Sequence, residues 1–155
     1  MKKMFPDPKQ LKKIEFWGGE PSYGLPRVYN TIDQAIKYYP NLQSFMMSTN
    51  LTTPTWLDDF YSFLKVFKNY PERCFTFYLQ LSLDGPTEIN DGNRGKGVTE
   101  KFTKNFYKLI NNLDNILQDI PNVSIFAHFK PTLDNNSIKQ LQTKESIINY
   151  YQFFE

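Results

Sequence analysis

The chain has 155 residues, a formal net charge of +2, 40% apolar residues and 17% aromatic residues. That is one domain's worth of polypeptide, able to bury a core, and its apolar content excludes a disordered chain. The small charge, with cations scattered along the sequence, argues against nucleic acid; no apolar run is long enough to span a membrane; and the single cysteine, Cys74, excludes an internal disulfide.

The opening MKKMFPDPK is basic but leads into no apolar stretch, so no export signal is expected there, and the reducing cytoplasm suits a lone thiol. KKIEFW (12–17) reads as a strand that runs into Gly18-Gly19. Leu25, Val28, Tyr29, Ile32, Ile36 and Tyr39 follow at helical spacing, with Pro26 near the first turn. LQSFMMSTN (42–50) is a second strand. Thr53-Pro54 then reads as the cap and first residue of a helix carrying Trp56, Leu57, Phe60, Leu64 and Phe67.

CFTFYLQLSLDGP (74–86) is the clearest strand, turning at Asp84-Gly85-Pro86. Gly85–Gly97 reads as an extended loop. A long helix is expected from about Thr99, built on Phe102, Phe106, Leu109, Leu113 and Leu117 and stopped by Pro121. NVSIFAHFKP (122–131) is a fourth strand, and Ile138 to Phe154 a last helical region. Strands alternating with helices mean a parallel sheet joined by right-handed crossovers, in one domain spanning 1–155.

The third strand sets Phe77, Leu79, Leu81 and Leu83 on one face and Tyr78, Gln80, Ser82 and Asp84 on the other. In the fourth, Ser124, His128 and Lys130 oppose Val123, Ile125, Ala127 and Phe129. A sheet covered on both faces gives nearly continuous apolar strands. A polar face therefore predicts an α/β fold of the partial (β/α) barrel kind, with outer helices and an open inner face. A flavodoxin-like sheet with polar strand ends is the alternative.

Ligands of such sheets sit at the carboxyl ends of the strands. Those ends carry Gly18-Gly19-Glu20-Pro21, Ser48-Thr49-Asn50, Ser82-Leu83-Asp84-Gly85 and Lys130-Pro131-Thr132. Glycines let a ligand approach the backbone, and Glu20 beside them can accept charge-assisted hydrogen bonds from an ammonium group. A tight strand-to-helix turn with a capping acid is the plainer reading of the same residues. Cys74 reads as a small buried hydrophobe.

IEFWGGEP, STN at the next strand end and LSLDGPTEINDGNRGKG in that order resemble the radical S-adenosylmethionine superfamily, in particular its sulfatase-maturing and peptide-modifying branch. The resemblance covers roughly residues 13–134. It implies a partial (β/α)6 barrel that binds S-adenosylmethionine beside a [4Fe–4S] cluster, with this chain supplying the second to fifth strand–helix units. It implies that Gly18, Gly19 and Glu20 hold the methionine amino group, with Pro21 in the same cofactor-binding stretch, and that Ser82 contacts the ribose. It sets Arg94 toward the methionine carboxylate, Asn50 and Asp84 as pocket-shaping or turn-capping residues, and His128 and Lys130 toward adenine or substrate.

The family holds its cluster through a CxxxCxxC loop after the first barrel strand, three thiolates leaving one iron open. One cysteine cannot replace three. The expectation is therefore a truncated or split protein, inactive alone, whose cluster ligands come from an upstream segment or a separate chain. The complete protein would cleave S-adenosylmethionine reductively and abstract hydrogen from a substrate such as a peptide or protein side chain. Two other readings stand beside it: a degenerate barrel serving as a binding module, and a barrel hydrolase using Glu20 and Asp84 as paired carboxylates.

Overall fold

A computed structural model describes residues 7–154; the leading six residues, on which the export-signal expectation rests, lie outside them. Four strands, β1 (Lys13–Phe16), β2 (Ser44–Thr49), β3 (Phe75–Leu81) and β4 (Val123–Phe129), form one parallel sheet in chain order. Between them run α1 (Leu25–Tyr38), α2 (Trp56–Leu64), α3 (Thr87–Arg94) and α4 (Val98–Asp119); α5 (Asn135–Gln140) and α6 (Lys144–Gln152) follow the last strand.

Register puts Phe45 beside Phe77 and Met47 beside Leu79, and all four are fully buried with Leu81, Phe60, Phe63 and Phe67. Rings pack edge-on here, Phe60 and Phe63 lying 5.1 and 6.1 Å from Phe77. Burying one such side chain stabilises the fold by about 2 kcal/mol. On the opposite face no residue of the four strands is buried: Ser44, Met46, Ser48, Thr76 and Gln80 are half-buried, while Tyr78 and Phe126 stack 5.7 Å apart in the open. The molecule is thus an α/β protein whose parallel sheet is covered by helices on one face. Each crossover advances the sheet in the same direction, so handedness alone keeps the helices on that side.

Backbone chemistry explains where the helices stop. Tyr39 takes extended dihedrals before Pro40 and ends α1. Arg73 then gathers the freed carbonyls, donating to Ile36 O at 2.7 Å, Pro40 O at 3.0 Å and Leu42 O at 2.6 Å.

Four expectations are corrected. Gly85–Gly97 is not a loop but holds α3, whose sequence TEINDGNR buries only Ile89 and Asn90 and so shows no apolar periodicity. Helix α2 starts at Trp56, not at Thr53-Pro54, because the Thr53 carbonyl first accepts from Trp56 N in a turn. The last helical region is two helices, the second opened by a reciprocal cap between Thr143 and Ser146. Cys74 is exposed, since β3 begins one residue after it.

Candidate functional site

Beyond β1 the chain passes through Gly18 at φ +151°, a conformation that side chains rarely adopt. No atom lies within 4 Å of where a Cβ would stand at Gly18 or Gly19, so this backbone faces open space. A cleft of about 390 Å³ runs along it, lined by Glu15, Trp17, Glu20, Pro21 and Val28 among others.

Glu20 ties the ends of β1 and β2 together. Its Oε1 accepts from the Thr49 hydroxyl at 2.7 Å and from Ser22 N at 3.2 Å, and its Oε2 from Asn50 N at 2.7 Å. The Ser22 bond makes it the cap of a 3-10 turn over Pro21–Gly24. A carboxylate has about four acceptor positions, so one on Oε2 remains for a ligand. Thr49 is itself fixed, its hydroxyl accepting from Trp56 Nε1 at 2.9 Å. The Asn50 side chain is absorbed locally, accepting from the Thr52 hydroxyl at 2.6 Å.

Ser82 lies on the open face with its hydroxyl 3.4 Å from that of Ser48. Beside them Gln80 has its Oε1 shielded from solvent without a hydrogen-bond partner. Such an acceptor costs about 1–3 kcal/mol unless something donates to it. At the same end of the sheet Lys130 Nζ stands 5.3 Å from the centre of the Trp17 ring. Their strands are three spacings apart, about 14 Å in a flat sheet. The two side chains meet across the end of the open face. His128 is exposed on that face, in register with Gln80.

Asp84 does not share that face, because β3 ends at Leu81 and the alternation ends with it. Its carboxylate is 2% exposed. Oδ1 accepts from Arg94 Nη2 at 2.6 Å and Thr132 N at 2.8 Å, binding α3 to the segment after β4. Asn90 accepts from Asp84 N at 2.9 Å, and the neighbouring Asp91 accepts from Thr99 N and Gly97 N. Hydrogen bonds from the Thr99 hydroxyl and backbone hold the Asp91 carboxyl below the usual carboxylate range. The Arg94 Nε is buried with no hydrogen-bond partner.

Gly18, Gly19, Glu20, Pro21 and Asn50 thus meet at the joined ends of β1 and β2, and Ser82 lies on the open face beyond. Asp84 and Arg94 form a separate buried pair. Sequence reading placed Ser48 and Thr49 at a strand end and Gln80 on a polar face but gave none of the three a role. The polar alternation of the strands marks Ser48 and Gln80, whereas Thr49 lies on the buried face with Phe45 and Met47, and which of these groups lacks a partner depends on three-dimensional packing. Among the described residues no cluster of three or more His, Cys, Asp or Glu side chains is arranged to hold a metal, and no helix is long and apolar enough to cross a membrane. Comparison with protein-family models, curated proteins and solved structures gives no match.

Proposed function

We propose that this chain is the cofactor-binding part of a radical S-adenosylmethionine protein, holding S-adenosylmethionine at the carboxyl end of its open sheet face. The observation that carries the reading is the shielded, unpartnered Oε1 of Gln80 beside the Ser48 and Ser82 hydroxyls. It is an acceptor awaiting an N–H or O–H donor, and the cofactor offers both in its amino, ribose and adenine groups. Glu20 keeps one acceptor position for the methionine ammonium next to the bare backbone of Gly18-Gly19.

The residues present fit the organic cofactor and not the cluster. Cys74 is the only thiol and precedes β3, at the opposite end of the sheet from Glu20. Bound S-adenosylmethionine supplies an adenosyl group for radical chemistry; this chain's residues bind and orient it, and three thiolates must come from polypeptide outside these 155 residues. The substrate expected for the assembled protein is a peptide or protein side chain. Of the two rivals, the hydrolase is disfavoured, since Asp84 is buried against Arg94 and offers no free carboxylate beside Glu20. The binding module is favoured by that single cysteine.

The test is co-expression with the flanking coding sequence, read for a CxxxCxxC segment. The pair is expected to take up a [4Fe–4S] cluster anaerobically and to bind S-adenosylmethionine, with Gln80→Ala and Glu20→Gln each weakening binding about tenfold. The chain alone is expected to bind it weakly or undetectably. A flanking sequence without that spacing, or wild-type affinity in both variants, overturns the proposal in favour of the binding module.

A further inference from the structure

The scattered cations of the sequence come together once α4 forms. Lys101, Lys104 and Lys108 recur at the spacing that aligns them on one side of α4, next to the buried stripe of Phe102, Asn105 and Leu109. They form one wall of a groove of about 330 Å³ whose other side is Tyr23, Thr52 and Pro54. Its floor is fixed: Asn105, 4% exposed, donates to Leu51 O at 2.5 Å and Thr53 O at 3.0 Å and so holds the loop after β2 against α4. None of the three lysines makes an ion pair among the described residues. Of the acidic groups on α4 and α2, Glu100 lines an adjoining cleft that Lys104 also borders, and Asp58 lines another. Tyr23, 65% exposed, presents an unpartnered ring at the opposite wall.

We infer that this groove binds an acidic peptide segment in extended conformation. The ammonium stems are separated by about 4.5 and 6 Å of helix rise. An extended chain repeats same-side residues about every 6.7 Å, so carboxylates at alternate positions meet successive lysines. Lysines rather than arginine forks favour carboxylates over bidentate phosphate. Tyr23 and Pro54 add an apolar contact suited to a polypeptide and not to a bare anion. Three cations on a chain of net +2 are too few to track a nucleic-acid backbone. The groove also adjoins the candidate site: Tyr23 belongs to the turn that Glu20 caps, and Thr52 to the turn that Asn50 forms. The inference stands whether or not the cofactor reading does.

Fluorescence anisotropy of a labelled peptide with glutamates at alternate positions around one aromatic residue tests it on the 155-residue chain. At about 20 mM salt the peptide is expected to bind at least tenfold more tightly than its glutamine counterpart. K101E/K104E/K108E is expected to abolish that difference and Tyr23→Ala to weaken binding about threefold. K12E/K139E/K144E, the same charge change elsewhere, is expected to leave binding within about twofold. Circular dichroism melts check the fold, and K104E alone serves if the triple variant melts early, with an expected loss of about threefold. Equal binding of the glutamine peptide, equal loss in the two triple variants, or displacement by inorganic phosphate at peptide concentrations overturns the inference. S-adenosylmethionine affinity, measured on the co-expressed pair carrying the same lysine substitutions, is expected to be unchanged, so the two proposals fail separately.

Discussion

Asp84 and Arg94 show how much a single pair carries when it is out of water. Removing the guanidinium leaves a carboxylate that is 2% exposed with only the Thr132 and Asn93 N–H groups to hold it. Arg94→Ala is therefore expected to lower unfolding stability by about 3 kcal/mol in urea titrations without any ligand present. An arginine that served only as a ligand contact would change nothing in that experiment. Next along the chain, Gly85 sits at φ +144° with Tyr150 Cε2 only 2.7 Å from the position a Cβ would take. Gly85→Ala should cost about 2 kcal/mol or more, through backbone strain together with displacement of α6. The Tyr150 hydroxyl is buried without a partner, and burial with the nearby Asp84 charge raises its pKa above the usual tyrosine value. Tyr150→Phe is expected to be neutral or to stabilise by up to about 1 kcal/mol, read from the same titrations.

Elements were legible in proportion to how far apolar periodicity made them. The strands and α1, α2 and α4 bury regular stripes, so IEFW, FMMST and FTFYLQL could be read directly, as could the one-sided sheet. Helix α3 could not, because hydrogen bonds hold it in place of an apolar face: Asn90 donates to the Thr99 hydroxyl, and Asp91 accepts from the Thr99 hydroxyl and backbone N–H. The site divides along the same line. Gly18-Gly19-Glu20 was visible as a strand end, whereas the pairing of Asp84 with Arg94 depends on a helix that was read as a loop. Asp91 on α3 bonded to Thr99, Asp33 on α1 bonded to Lys37 and Tyr70, and Asp119 on α4 bonded to Lys68 and Tyr61 all have carboxyls held below their ordinary value of 3.8. Above that value each is charged folded and unfolded, and its contribution is complete. As pH falls through it the unfolded chain takes up the proton first, and stability declines until the folded carboxyl also protonates. Thermal melts should be flat from about pH 7 to 5 and fall below about pH 4, with a shallower fall in Asp91→Asn.

Across the whole molecule the sheet has two free margins among the described residues, β1 and β4. Lys13 and Glu15 guard the short β1, but β4 is seven residues long and leaves Phe126, Ala127 and Phe129 exposed. Concentration-dependent association is expected in sedimentation velocity, and Ala127→Lys on β4 is expected to reduce it; a chain that stays monomeric at every concentration would count against β4 as the adhesive margin. The identity of strand order and chain order has a different consequence for how the molecule comes into being. Each strand docks on the one made just before it, so nothing already folded has to be prised open to admit a later strand. A sheet that begins at its centre and grows both ways leaves its first strand waiting on one side until the second half is made. Here the emerging chain can be laid down like courses of a wall, and during synthesis each new strand is added to the one just before it.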